Sequence, residues 1–197
     1  MKAGLLNPDL ELQAYVIGLA IGDGNLSNPN GRATRLRITC DTKYPALIAK
    51  IQSALQRLLP RNKVSLVRGN GNYVNVSVYS NLLEPLLGWR AAGGSKRSQC
   101  VRVPAWICEN KILSIHCLRG LIETDGAVYH DRGYPMVIFS TVILELGTQI
   151  DQLIQGLGFR CRFYAARRSA SEAPYKYQVR LSRDVVSFLE LVQPLKA

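Results

Sequence analysis

The sequence predicts an α+β protein, built as a pseudo-two-fold tandem of two α-β-β-α-β-β-α units. The first observation is a repeat: VIGLAIGDG at residues 16–24 and LRGLIETDG at residues 118–126 are both apolar, helix-like runs that end in Asp-Gly. The second is that a similar succession of polar, alternating and amphipathic runs follows each copy. Because the copies are few and far apart, two related units are favoured over a solenoid of short repeats.

The first unit is predicted over residues 1–95. After its motif helix come a polar loop at 25–31, a strand at 32–40 and an amphipathic helix at 44–59. Two alternating runs at 63–69 and 72–80 flank Gly-Asn-Gly, which predicts a hairpin. A short helix at 81–89 completes the unit.

The second unit is predicted over residues 112–197. Residues 96–111 form the expected linker, which continues a small, polar, glycine-bearing run at 91–99 and includes a short turn from Pro104. After the second motif helix we expect a polar loop at 129–133, a strand at 134–141 and an amphipathic helix through Leu157. A hairpin of strands at 159–168 and 175–183 and a helix at 184–192 follow.

The composition favours a globular protein with a polyanionic partner. Hydrophobic residues make up 47% of the chain, and 25 Lys and Arg against 14 Asp and Glu give a net charge of +11. Nucleic acid is the first candidate partner and an acidic membrane the second, while a merely basic soluble protein is the alternative. No apolar run reaches the length of a membrane span, and the N-terminal run does not resemble a signal peptide.

The cysteines indicate the compartment. There are five, with no Cys-x-x-Cys pair and no matching histidine cluster, which argues against a zinc site. We expect reduced, mostly buried thiols in an intracellular protein from a reducing compartment, not a secreted one.

Four predicted strands carry a polar face of unusual composition. Alternation places Arg, Lys, Gln, Asn, Ser, Thr and Tyr on one face, without a carboxylate, and mainly apolar residues on the other. Such side chains read base edges and hold phosphates, so these strands predict a surface for double-stranded DNA, although a solvated face is the alternative for any one strand. The predicted DNA-contacting residues are Arg32, Arg35, Arg37, Thr39, Tyr73, Asn75, Ser77, Tyr79, Arg160, Arg162, Tyr164, Lys176, Gln178, Arg180 and Ser182.

The two motif helices are predicted to pack against each other. Gly18 and Gly22 stand four residues apart, and Gly120 and Thr124 repeat that spacing. Rows of small residues allow two helix backbones to approach closely.

Asp23 and Asp125 then fall at the C-terminal ends of these helices, each before a glycine suited to the left-handed conformation that ends helices. There each carboxylate faces the negative end of a helix dipole, and the two repel each other. A divalent cation between them would relieve both costs. The alternative is that Asp-Gly only forms a turn.

These motifs resemble those of single-chain LAGLIDADG homing endonucleases. RVPAWI at residues 102–107 and the order of elements extend the resemblance over nearly the whole chain. The resemblance implies two antiparallel four-stranded sheets that form a DNA-binding saddle, with the motif helices packed at its centre. It also implies an enzyme of the intron-encoded type, with an intein origin left open. Such an enzyme is a monomer without protein or membrane partners that makes a staggered double-strand break by Mg²⁺-dependent hydrolysis, with Mn²⁺ or Ca²⁺ able to take the same site.

The resemblance also implies residue roles. The last acid of each motif, Asp23 and Asp125, corresponds to a catalytic metal ligand, and the backbone carbonyls of Gly22 and Thr124 correspond to further metal ligands. The basic residue typical of the family near each scissile phosphate corresponds to the two lysines that follow the last helix of each unit, Lys96 and Lys196.

The chain departs from the family pattern in two places. The earlier acidic position of the motif, which is usually not a metal ligand, is Ile21 in the first copy and Glu123 in the second. The family's glutamine at the sheet end has no obvious equivalent; residues 40–41 and 140–141 lie in that neighbourhood.

Two other functions are compatible with this fold. An intron RNA maturase would bind folded RNA and need neither acid, and a non-cleaving DNA-binding regulator would keep the sheets alone. Retention of both acids favours the endonuclease over the regulator, and a cleavage assay separates it from the maturase.

Overall fold

The computed structural model of the chain describes residues 7–167 and 176–196. The turn of the predicted second hairpin, at residues 168–175, lies outside the described residues. The first unit consists of α1 (Leu10–Ile21), β1 (Gly24–Ser27), β2 (Arg35–Asp41), α2 (Pro45–Leu58), β3 (Val64–Arg68), β4 (Tyr73–Tyr79) and α3 (Leu83–Leu87). A short helix follows, α4 (Ala105–Cys108). The second unit consists of α5 (Lys111–Glu123), β5 (Gly126–Asp131), β6 (Tyr134–Thr141), α6 (Leu144–Gly156), β7 (Cys161–Ala166), β8 (Lys176–Leu181) and α7 (Val185–Val192).

Two four-stranded sheets confirm the predicted fold class and its pseudo-two-fold repeat. Their strand orders are β1-β2-β4-β3 and β5-β6-β8-β7, and every pairing is antiparallel. The second order repeats the first, strand for strand. The same topology has therefore formed twice in one chain.

The first strand of each sheet lies where the sequence had predicted a polar loop. β1 is four residues long, and Leu26 is its one buried side chain, so it lacks the length that makes an alternating pattern visible. β5 joins β6 through Arg132 and Gly133, both with positive φ (52° and 85°), as a two-residue hairpin turn requires. Backbone pairing with β2 and β6, rather than side-chain pattern, makes these segments strands.

One continuous core joins the two units. The amphipathic helices α2 and α6 each bury one face, through residues such as Leu47 and Ile51 in α2 and Ile150 and Ile154 in α6. α1 is instead buried on almost every side from Leu12 onward, as the apolar first motif predicted. The motif helices therefore occupy the centre of the molecule.

The predicted packing of α1 against α5 is confirmed, and it depends on glycine. A Cβ at Gly18 would collide with the backbone carbonyl of Cys117, and one at Gly120 would collide with the carbonyl of Tyr15. A Cβ at Gly22 would overlap the side chain of Thr124. Because two of these three obstacles are backbone atoms, only residues without a side chain allow the helices to approach this closely.

The glycine after each acidic residue has a different role from the one predicted. Gly24 and Gly126 are not among the glycines with positive φ; they begin β1 and β5. A Cβ at Gly24 would strike the backbone of Ala20, and one at Gly126 would strike the backbone of Ile122. These glycines are needed because the strand passes close to the last turn of its own motif helix.

The described residues contain no helix long and apolar enough to cross a membrane. The five cysteines are free thiols, as expected, but the prediction that most are buried was wrong. Cys40 and Cys117 are buried, Cys161 is half-buried, and Cys100 and Cys108 are exposed.

We expect Gly18→Ala to lower the free energy of unfolding by about 1–3 kcal/mol, because the new methyl group must push α1 away from α5. Chemical denaturation monitored by circular dichroism measures this change. Gly156→Ala is the matched control: it is also helical, its Cβ would have no neighbour within 4 Å, and it should stay within about 1 kcal/mol of wild type. Equal effects of the two substitutions would contradict the close-packing argument.

Candidate active site at the ends of the motif helices

The C-terminal ends of α1 and α5 meet at the centre of the molecule. α1 ends at Ile21, and the Gly22 N–H donates to the carbonyl of Gly18. α5 ends at Glu123, and the Thr124 hydroxyl donates to the carbonyl of Gly120 at 2.8 Å. Asp23 and Asp125 follow directly, so each helix brings a carboxylate and a terminal carbonyl to the same region.

The first pocket surrounds Asp23 and has a volume of about 290 Å³. Its wall includes residues 39–41 at the end of β2, and Glu123, Thr124 and Lys196 from the second unit. The acid of the first motif therefore shares a pocket with the helix end of the second motif.

The second pocket surrounds Asp125 and has a volume of about 490 Å³. It is the pseudo-symmetric counterpart of the first, since Ser140 and Thr141 at the end of β6 line it together with Gly22 and Lys96 of the first unit. The two sheet ends, residues 40–41 and 140–141, therefore lie where the sequence expected them. Each pocket combines both units, so neither unit alone completes a site.

The two lysines suggested by the resemblance lie on the terminal carbonyls of the motif helices. Lys96 Nζ donates to the carbonyl of Ile21 at 2.7 Å and also to that of Gly22. Lys196 Nζ donates to the carbonyl of Thr124 at 2.8 Å. Each ammonium group thus neutralises the negative end of a helix dipole.

Burial disfavours the charged forms of Asp23, Asp125 and Lys96. Burial raises the pKa of Asp125 to about 6, helped by the negative charge of Asp23 and opposed by Lys96 and Lys196. Burial also raises the pKa of Asp23, against the two lysines. Burial lowers the pKa of Lys96 to about 8, although both carboxylates oppose this. Both carboxylates still reach solvent, so the energetic cost is smaller than in a closed interior.

The donor set fits a hard divalent cation. Two carboxylates and two backbone carbonyls supply only oxygen atoms, which Mg²⁺, Mn²⁺ and Ca²⁺ prefer. In the described part of the chain, no group of three or more His, Cys, Asp and Glu side chains converges as a softer metal would require. A carbonyl oxygen has two lone pairs, so Gly22 and Thr124 can serve both a lysine and an ion.

The polar sheet faces have the predicted alternation. In the first sheet, Arg35 lies opposite Tyr79 of the neighbouring strand, Arg37 lies opposite Ser77, and Thr39 lies opposite Asn75. In the second, Gln178 pairs with Tyr164 and Arg180 with Arg162. Lys176 lies on the same face, while Arg32, Arg160 and Ser182 are exposed just outside their strands. Ser77 differs from expectation: it is only 5% exposed and offers almost no contact surface.

Polar partners hold several of these side chains, and sequence reasoning missed them. Arg35 Nε donates to Ser27 at 3.1 Å, and Arg37 donates to Asn25 at 3.1 Å. Arg180 forms an ion pair with Asp131 at 2.9 Å. The sheet surface therefore does contain a carboxylate. These partners lie on β1 and β5, which were predicted to be loops, so their alternation was not considered.

We expect Asp125→Asn to stabilise the metal-free protein near neutral pH, because it removes a negative charge that burial and, second, repulsion from Asp23 disfavour. The folded-state pKa of Asp125 is raised, so its negative charge destabilises the folded state. This destabilisation is absent below the ordinary aspartate pKa of about 4 and complete above about pH 6. Thermal unfolding in EDTA should therefore show a gain in Tm that disappears as the pH falls through this window. Asp184→Asn, at an exposed position at the N-terminal end of α7, is the control and should show no gain in Tm that grows with pH. A gain that is independent of pH would show that the charge of Asp125 is not the cause.

The comparisons with known proteins agree with this architecture. Residues 114–193 match the family model of the LAGLIDADG-like domain. A crystal structure of I-DmoI in complex with DNA and Mn has a TM-score of 0.66 and 20% identity, and the alignment covers 93% of this chain and 96% of that chain.

A structure of mesophilic variants of the homing endonuclease I-DmoI has a TM-score of 0.66 and 19% identity, over 93% of this chain and 89% of that chain. The N-terminal LAGLIDADG domain of DUF199/WhiA has a TM-score of 0.62 and 13% identity, over 93% and 82% of the two chains. No curated protein sequence matches the chain. Residues 114–193 therefore match the LAGLIDADG-like domain model, and the chain as a whole has the fold of I-DmoI.

Proposed function

We propose that the chain is a site-specific DNA endonuclease that makes a staggered double-strand break by divalent-metal-dependent hydrolysis of phosphodiester bonds. One observation carries the proposal. Two acids on touching helices each lie in a pocket completed by the other unit, and each pocket contains a lysine. Folding alone does not favour two carboxylates at the negative ends of adjacent helices.

The basic sheet faces support double-stranded DNA as the substrate. The net charge of +11 and the arginines of both sheets provide the electrostatic part of binding. The amide, hydroxyl and guanidinium groups between them can read base edges. Similar solved structures agree, since I-DmoI is described in complex with DNA and Mn, and with DNA and Ca.

In this proposal the metal ions are Mg²⁺, with Mn²⁺ or Ca²⁺ able to take the same sites, and Asp23, Asp125 and the carbonyls of Gly22 and Thr124 hold them. When bound, a divalent ion lowers the pKa of a water molecule and stabilises charge on the phosphate and the leaving oxygen. Lys96 and Lys196 place ammonium groups beside the two acids, where they can polarise water or offset the charge that develops on the phosphate. A pKa of about 8 lets Lys96 exchange its Nζ proton near neutral pH.

The cross-unit pockets favour a monomer. A symmetric dimer would normally supply the two-fold relation needed to cut two strands. Here α1 and α5 of one chain already provide it, and each pocket takes residues from both units. One chain then suffices for both cleavage events.

We expect Asp23→Asn and Asp125→Asn each to slow double-strand cleavage by more than about 100-fold while target binding persists, because each acid holds the ion rather than the DNA. The target is first selected from a randomised plasmid library with Mg²⁺. Cleavage is then measured with Mg²⁺ and with EDTA, and binding is measured with Ca²⁺. Asp184→Asn is the matched control, since an exposed Asp with φ of 53° can be replaced by Asn without strain.

Three results would contradict the endonuclease. Wild-type cleavage rates in either variant would remove the acids from the mechanism. Specific DNA binding by the wild type without cleavage at any Mg²⁺ concentration would favour a regulator. Preferential binding of folded intron RNA would favour a maturase.

We also expect that some residues of the sheet face read bases and that others bind only phosphates. Gln178→Ala should relax preference at one or two base pairs by about 1–3 kcal/mol each, because an amide forms paired hydrogen bonds with a base edge. Arg160→Ala, at an exposed position outside the strand, should weaken all targets equally and reduce the log–log salt slope by about 0.9. A competition profile over all single-base target variants measures both effects.

The control for that profile is Lys111→Ala, which removes a positive charge at the N-terminal end of α5, the opposite end of the helix from Asp125. It should leave the profile and the salt slope unchanged. If no residue of the sheet face alters the profile, the strands are not the reading surface.

A further inference from the structure

The two motifs differ at the residue two places before the acid. In the first motif this residue is Ile21, and in the second it is Glu123, and each is only 2% exposed. An apolar residue at this position is therefore compatible with folding. A buried carboxylate costs desolvation energy unless several partners satisfy it.

Glu123 has partners from three other parts of the chain. Its Oε2 accepts a hydrogen bond from the Tyr15 hydroxyl of α1 at 2.5 Å. Its Oε1 accepts from Lys50 Nζ of α2 at 2.7 Å and from the Leu195 N–H at 2.8 Å. The Lys50 ammonium also lies 4.9 Å above the centre of the Tyr15 ring. Oε1 thus has two donors and Oε2 has one.

The Leu195 contact bears on the Asp23 pocket. Leu195 belongs to the segment after α7, which has no regular secondary structure, and the next residue is Lys196. The same segment is tied to α5 at its other end, where Arg119 Nε donates to the carbonyl of Val192 at 2.5 Å. With its backbone fixed on both sides, the segment holds Lys196 Nζ on the Thr124 carbonyl.

The other lysine is held without such a carboxylate. Residues 95–101 fold on themselves: the Val101 N–H donates to the Lys96 carbonyl at 3.0 Å, and the Gln99 N–H donates to the Ser95 carbonyl at 3.1 Å. Ile21 has no polar atom in its side chain to add. Different contacts therefore hold the lysine of each pocket in place.

We propose that Glu123 is a positioning residue for the Asp23 pocket alone, where it fixes the Leu195 backbone so that Lys196 reaches the Thr124 carbonyl. This inference rests on the proposed endonuclease function. If each pocket cuts one strand, loss of Glu123 disables the cleavage of one strand and leaves a nicking enzyme. A residue with a purely structural role would slow both strands alike.

The test uses Glu123→Ile in a Tyr15→Phe background, which reproduces the apolar residue of the first motif and removes the hydroxyl that would lose its acceptor. Tyr15→Phe alone is the matched control. Single-turnover cleavage is followed on DNA labelled separately on each strand. We expect one strand to slow by about 10-fold or more while the other stays within about 2-fold, with nicked DNA accumulating.

Two further variants identify the pocket involved. Lys196→Met should slow the same strand as the loss of Glu123, and Lys96→Met should slow the opposite strand. Glu123→Gln keeps an oxygen for the Leu195 N–H and should restore most of the rate. Equal slowing of both strands, or slowing of the Lys96 strand, overturns the proposal.

Amide hydrogen exchange gives a readout that does not depend on cleavage. Exchange at Leu195 should accelerate in the Glu123→Ile variant and remain near the wild-type rate in Glu123→Gln and in the Tyr15→Phe control. Unchanged exchange at Leu195 overturns the proposal. If wild type cuts neither strand but exchange at Leu195 responds as expected, the proposed function fails while the role of Glu123 in holding the segment stands.

Discussion

The close approach of α1 and α5 is the constraint on which the rest of the structure depends. Gly18 and Gly120 allow the two backbones to meet where any side chain would strike a carbonyl group. Because the helices meet along their length, their C-terminal ends lie together, and the ends carry the two acids. Strand β1 then turns sharply away, since Gly24 lets it pass the last turn of α1. The position of the site and the start of the sheet thus follow from one packing contact.

This arrangement concentrates negative charge that the fold must neutralise. Two carboxylates and two terminal carbonyls converge, and Lys96 and Lys196 are the cations that the chain itself supplies. Burial, followed by the negative charge of Asp23, still raises the pKa of Asp125 to about 6 against both lysines. Under the proposed function, a bound divalent cation would supply the remaining positive charge and would link the packing of the helices to metal-dependent chemistry.

The parts of this architecture that depend on local pattern could be predicted from the sequence. The repeated motif, the amphipathic helices and the alternation of Arg35, Arg37 and Thr39 are visible because their periods are short. β1 was missed because a short edge strand has no room for a period. The partners of Glu123 were missed because Lys50 and Leu195 lie 73 and 72 residues from it in the chain. Contacts of that kind depend on tertiary packing, and only the resemblance pointed to Lys96 and Lys196.

Because the two units belong to one chain, their sequences need not be identical. The polar faces of the two sheets do differ. In the first sheet, Arg35 and Arg37 are held by the neutral side chains of Ser27 and Asn25, so both keep their full charge. In the second sheet, Asp131 neutralises Arg180 while fixing its direction. A neutralised but oriented arginine contributes less to phosphate attraction and more to directional hydrogen bonding. The two sheet faces therefore differ in chemistry, and under the proposed function a DNA target matched to them would have no reason to be palindromic.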